Sequence, residues 1–263
     1  MLRQKCESER NFIRGIADII NYIALPIGIL IIWYWVTKNG EIPSLLLPSI
    51  GQVKDNFLIQ LSNGQLWNDL SASVIIVAKG YLVGAALGIG FGIMMGAFSR
   101  VNKLFSVIFD TIRQIPGIAW FPLVILWFGI GDLSKIILVA RGTFFPVLVN
   151  TIDGIRSTNP RYMDLVKLYQ VKFTDIIFKI YVPSSLQFVC VGLRLGAGMA
   201  WMSVVAAEML GARSGLGFRI QSSQQLMQSE VMIVDIFVIG ILGLGVDFIL
   251  KKITSYIIKW NPQ

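Results

Sequence analysis

The residues of this chain that could do chemistry are charges set within apolar runs: Lys79, Asp110, Arg113, Arg141, Arg194, Glu208, Asp235 and Asp247. In hydrocarbon each costs about 3 kcal/mol or more, so each calls for a counter-charge, water or a ligand. Asp110 and Arg113 stand three apart, the spacing of a pair on one helix. Arg141 has two readings, the lining of an anion pathway or an internal ion pair. A guanidinium fork suits the oxygens of sulfonate, nitrate or carboxylate. Arg194, in the middle of another apolar run, is likewise a pathway candidate or the partner of an acid such as Glu208 or Asp247. Glu208, at the end of an apolar run, reads as a structural or gating residue. Met199 and Trp201 read as core packing or as a hydrophobic gate.

Much other chemistry is absent from the sequence. It holds no histidine, the commonest general base and metal ligand. Its two cysteines, Cys6 and Cys190, are too far apart to read as a metal or disulfide pattern. No G-x-x-x-x-G-K-[ST] motif occurs, so any nucleotide is hydrolysed by another chain. No cofactor is expected. A membrane-bound transferase would show a cluster of His, Asp or Glu at a membrane face, and a secondary transporter more spans or an inverted repeat; neither pattern is present.

The elements that must hold these charges are membrane helices. Of 263 residues, 55% are hydrophobic and 14% charged, against about 25% charged in soluble domains. Several apolar runs match the ~20 residues that cross ~30 Å of hydrocarbon. The fold class is therefore an all-α polytopic membrane protein; barrel strands would alternate polar and apolar residues. Six transmembrane helices are predicted, at about 19–36, 71–98, 104–128 (broken at Ile115-Pro116-Gly117), 135–152, 183–210 and 232–253. Residues 1–18 form a tail, 19–69 the first span and a connector with a short helix at 53–61, 70–257 the core and 258–263 a second tail. Glycines at 80, 84, 88, 92 and 96 make a smooth ridge that predicts close helix packing.

The net charge of +8 reads as a topology signal rather than a nucleic-acid footprint. With six spans, fourteen Lys and Arg fall on one side and five on the other. The richer side is expected in the cytoplasm with both termini. That side includes residues 155–183, IRSTNPRYMDLVKLYQVKFTDIIFKIYVP. Asn159 is a candidate cap, Pro160 suits a first helical position, and Leu165, Val166, Leu168, Tyr169 and Val171 make an apolar stripe. Further turns pass through Ile176, Ile177 and Ile180, and Pro183 is expected to start the next span. The segment reads as a cytoplasmic docking helix pair.

This segment resembles the "EAA" loop of permease subunits in binding-protein-dependent ATP-binding-cassette importers. Asp164-Leu165-Val166 stands at the EAA positions, and Ile180-Tyr181-Val182-Pro183 at the closing Ile-x-Leu-Pro. Gln170 replaces the usual glycine, which implies a less sharply bent loop. WFPLVILWFGIGDLSKIILVARGTFFPVLVNTIDGIR and GLRLGAGMAWMSVVAAEMLGARSGLGF are similar to the nitrate, sulfonate, taurine and bicarbonate branch, and the likeness covers about residues 65–260. It implies a type I importer-like permease without catalysis of its own. Asp164, Lys167, Leu168, Gln170 and Pro183 would couple it to two copies of an ATPase subunit. A periplasmic or lipid-anchored solute-binding protein would deliver a small anion, or alternatively a pyrimidine or thiamine precursor. A homodimer in a bacterial inner membrane is implied. Residues 37–69 and 211–231 would face the binding protein, with Arg213 and Arg219 available to pair with its acids or left solvated.

Overall fold

A ridge of glycines determines where the central helices meet. The computed structural model describes residues 24–40, 42–159, 161–162, 168–169 and 171–257, and those residues form helices and turns without a strand. In chain order the helices are α1 (Ala24–Lys38), α2 (Ile50–Ser62), α3 (Gln65–Ala97), α4 (Ser99–Gln114), α5 (Phe121–Phe128), α6 (Asp132–Arg156), α7 (Phe173–Gly211), α8 (Leu216–Gln225) and α9 (Ser229–Ile257). The chain divides into two compact units, Met1–Ser62 with Ser223–Val234, and Asn63–Ser222 with Asp235–Gln263.

In the larger unit, α6 lies between α3 and α7. Gly80, Gly84, Gly88, Gly92 and Gly96 of α3 face Val139, Thr143, Val147, Thr151 and Ile155 of α6. Both series advance by four, so the two helices run parallel in constant register. A Cβ added at Gly92 would stand 2.5 Å from the Cβ of Thr151, and no side chain larger than hydrogen fits. The other side of α6 is matched antiparallel by α7, where Gly154 meets Ser185 and Gly196 meets Thr143. Small residues on facing helices are how membrane helices gain contact when lipid is as apolar as leucine.

Four helices, α3, α6, α7 and α9, are long and apolar enough to cross a membrane. The break expected at Ile115-Pro116-Gly117 is present and divides the span at 104–128 into two helices. Ile115 and Pro116 leave the helical region, at φ −74°, ψ 123° and φ −52°, ψ 138°, because a residue before proline is pushed out of it. A 3₁₀ turn, Gly117–Trp120, leads into α5, and the pair bends by 97°. Counted as one span, it makes five among the described residues. The first expected span is described only from Ala24, as the shorter apolar α1; residues 19–23 lie outside the described ones. An aromatic cluster fixes α4 before the bend: Phe109 meets Phe91 and Phe144 edge-on, at 5.6 and 5.4 Å between ring centroids.

Pro183 stands in the first turn of an α-helical stretch, Val182–Gly211, as expected. The helix enters from Phe173 and passes through a π turn, Ile177–Tyr181, just before the proline. Proline has no N–H for the ordinary i−4 bond, and the wider turn lets the helix continue around that gap.

In the smaller unit, the Trp33 indole donates to the carbonyl of Pro48 at 3.0 Å, and Ser229 Oγ donates to the carbonyl of Leu45. The short helix expected at 53–61 is α2.

Candidate functional site

The break at Ile115-Pro116-Gly117 frees the carbonyl of Ile115 and leaves that of Ile112 with a 3.3 Å bond from the Ile115 N–H, and one side chain reaches both. Arg141, from the middle of α6, donates through Nη2 to the carbonyls of Ile112 at 3.0 Å and Ile115 at 2.6 Å. Its guanidinium carbon lies 5.6 Å from the Trp120 ring centre and 5.5 Å from that of Phe145. Arg141 Nε and Trp120 Nε1 are buried with no hydrogen-bond partner. No carboxylate pairs with Arg141 among the described residues. The internal ion pair considered for this residue is thus replaced by neutral carbonyls and ring faces, which leave its charge uncompensated.

Beside Arg141 the bend opens a cavity of about 400 Å³. Arg113 and Asn150 supply its other polar side chains, and Phe145, Pro146 and Met199 much of its apolar wall. No acid lines it. Arg113 pairs with Asp110 at 3.2 Å, as their spacing suggested, and both remain largely exposed. Met199 is 46% exposed and borders this cavity and a smaller one of about 170 Å³ next to Phe121 and Leu138. Trp201 turns away, buried, its indole donating to the carbonyl of Ile239 at 3.0 Å. These two residues therefore do not form one constriction here: Met199 lines the cavity, while Trp201 ties α7 to α9.

Several of the other in-span charges are paired. Arg194 of α7 takes Asp247 of α9 through two bonds, one of them 2.9 Å from Nη2 to Oδ2. Of the two acids considered for it, Asp247 is the partner. Glu208 is fully buried and serves α8 instead. It accepts from the Gly217 N–H at 2.9 Å and from Ser73 Oγ at 2.8 Å, while Ser73 accepts from the Leu216 N–H at 3.0 Å. The turn into α8 needs Gly215, at φ +112°, with its N–H on Asp69 at 3.0 Å. Carboxylates at a helix start suit its free N–H groups and its dipole.

Arg219 corrects the sequence reading. Rather than waiting for acids of a partner, it is 5% exposed and bonded to Asp235, which is fully buried, with Asp69 3.6 Å away. A guanidinium this deep needs its counter-charge inside the molecule. Asp69 and Ser73 were not singled out from sequence. Their signal was present: the two are four apart and share one face of α3.

Of the coupling residues expected from sequence, Asp164, Lys167 and Gln170 lie outside the described residues. Leu168 is 74% exposed, and Pro183 is exposed in the first turn of the Val182–Gly211 stretch of α7. The two ends of the segment are tied together, with Thr158 Oγ1 2.8 Å from Ser184 Oγ.

The family described as "Binding-protein-dependent transport system inner membrane component" matches residues 88–258. The chain belongs to that family. A relative in Bacillus subtilis (strain 168), SsuC, carries the name of an aliphatic sulfonates transport permease; it is 32% identical over 239 residues, 91% of this chain and 87% of its own. The taurine transport system permease protein TauC of Escherichia coli (strain K12) is 29% identical over 250 residues, 92% of this chain and 91% of its own. A crystal structure of an amino acid ABC transporter with histidines matches at a TM-score of 0.60 and 13% identity, over 76% of this chain and 96% of that one. This likeness concerns the fold. The all-α, type I importer permease architecture expected from sequence is present, and the chain is a membrane-spanning permease of the sulfonate and taurine branch. The bent α4–α5 pair, α6 and α7 with their cavity all fall within the matched residues of this permease.

Proposed function

We propose that this permease forms the translocation pathway for a small solute that carries an oxyanion group, of the sulfonate or taurine kind. The observation that carries the reading is the cavity at the bend, which holds two guanidinium groups and no carboxylate. An uncompensated charge within a span is a functional site by default, and guanidinium is the side chain suited to oxyanions. The names of the sulfonate and taurine relatives support the same class of substrate.

The permease works as a homodimer in a bacterial inner membrane, with both termini in the cytoplasm. A solute-binding protein delivers the anion, and two copies of an ATPase subunit drive its import. The division of Lys and Arg supports this orientation. Coupling runs through residues 156–183, with Asp164, Lys167, Leu168, Gln170 and Pro183 in the docking unit. The Thr158–Ser184 contact supports this role: it joins the turn after α6 to the first turn of the Val182–Gly211 stretch of α7, so a push on the segment reaches both helices that line the cavity.

Reversing charges in the docking unit, Asp164→Lys with Lys167→Glu, tests the coupling. Co-purification of the ATPase with the permease should fall sharply. Association at the wild-type level would contradict the assignment of this segment.

A further inference from the structure

The cavity at the bend divides the work of one guanidinium. Nη2 of Arg141 is committed to the carbonyls of Ile112 and Ile115. Nη1 stands beside Gly117, where an added Cβ would lie 3.2 Å from it. Absence of a side chain at position 117 keeps Nη1 open to the cavity. Arg113 also borders this space, while the ring faces of Trp120 and Phe145 flank Arg141.

Carbonyl oxygens are dipoles and leave the charge of Arg141 whole. The low dielectric of a membrane interior raises the demand for a counter-ion. With no acid lining the cavity, that counter-ion has to arrive from outside the chain. We infer that the cavity is an oxyanion-binding site of the permease, in which Arg141 Nη1 and Arg113 receive the anion while Arg141 Nη2 holds the broken span. This rests on the anion reading above and adds to it the site. Phe145, Pro146 and Met199 give the site an apolar wall, so it fits an oxyanion that carries a short organic tail better than a bare planar one. Because the same guanidinium holds the bend and meets the ligand, occupancy and the geometry of the α4–α5 pair are linked.

The test uses the full transporter, permease with its ATPase and binding protein, in proteoliposomes. Taurine, ethanesulfonate, nitrate and bicarbonate are the probes. Three variants are compared with wild type: Gly117→Ala, which sets a methyl group against Nη1 without removing the carbonyl bonds; Arg113→Gln; and Arg141→Lys. Loss of one charge-assisted contact should raise the KM for uptake about tenfold in Gly117→Ala and in Arg113→Gln. Taurine or ethanesulfonate should raise the Tm of the purified wild-type permease and raise it less in either variant. Should Arg141→Lys fail to fold, these two variants decide the matter alone. An anion imported with unchanged KM in both would overturn the site and leave the anion function standing. Import of a solute without an oxyanion group, and of none that carries one, would overturn the function and the site together. Nitrate or bicarbonate bound more tightly than ethanesulfonate would overturn the role given to the apolar wall.

Discussion

Nη2 of Arg141 lies 2.6 Å from the carbonyl oxygen of Ile115, the residue just before the proline that breaks the span. A broken helix is tolerated at membrane depth only where its freed carbonyls find protein or water, and here a cation from the neighbouring helix supplies that partner. The same residue brings positive charge into the cavity that the break opens. Fold and candidate site therefore meet in one side chain.

Replacing it should separate the two roles. Arg141→Leu removes both carbonyl bonds, and a hydrogen bond to a charged group contributes roughly 1.5–3 kcal/mol. The melting temperature of the detergent-solubilised permease should fall, and anion uptake should be lost. Arg141→Lys keeps a charge but not the fork and should recover stability more than uptake. A Leu variant that melts and transports like wild type would show that the bend holds itself.

Arg219 and Asp235 should act as a unit. Both are buried, and removing one partner of such a pair costs up to about 3–5 kcal/mol, because Arg219 then keeps only Asp69, at 3.6 Å, to balance its charge. Asp235→Ala should sharply lower the yield of folded permease, measured by size-exclusion chromatography in detergent. Asp235→Glu should retain much of it. A folded Asp235→Ala protein at full yield would contradict an internal role for Arg219 and restore the possibility of an external partner.

The glycine ridge is tested by a single methyl group. At Gly88, a Cβ would stand 2.9 Å from both the carbonyl oxygen of Phe144 and the Cβ of Val147. Overpacking of this kind costs roughly 1–3 kcal/mol, so Gly88→Ala should lower the melting temperature. Gly90 has no atom within 4 Å of the same position, and Gly90→Ala should change stability little. Equal effects at the two positions would mean that α3 does not pack on α6 through this face.

Arg194 and Asp247 should tolerate exchange. Each is part-exposed at the side chain, 44% in both cases, and the pair joins α7 to α9. Either single replacement by Ala should reduce stability or yield, while Arg194→Asp with Asp247→Arg should restore much of what Arg194→Asp alone loses. An exchange variant no better than the single one would assign the two residues separate roles.

Much of the architecture was legible in the sequence because its signals are periodic. The glycines at 80 to 96 repeat every four residues and fixed one face of α3. Pro116 between Ile115 and Gly117 marked the break, and Asp110 with Arg113 sat at pairing distance. Less legible was anything that depends on direction in space. Linear order did not show that α4 and α5 bend by 97°, nor that Arg141 would meet carbonyls rather than an acid. Arg219 lies in a polar stretch and read as a surface residue; only folding brings Asp69, 150 positions earlier, and Asp235 to it. Glu208 read as structural or gating, but its work at the start of α8 depends on Ser73, a residue with no signal strong enough to stand out alone. Pro183 marked the start of the α-helical stretch Val182–Gly211, but no residue signalled the π turn that joins it to the turns from Phe173.

The central claim is that this chain conducts an anion under the control of ATP. The most direct measurement is uptake of radiolabelled taurine and ethanesulfonate into proteoliposomes holding the permease and its ATPase, with the binding protein and ATP on their proper sides. The account predicts accumulation that requires ATP, requires the binding protein and fails in Arg141→Leu. Full uptake without ATP, or ATP-driven import restricted to uncharged solutes, would contradict it.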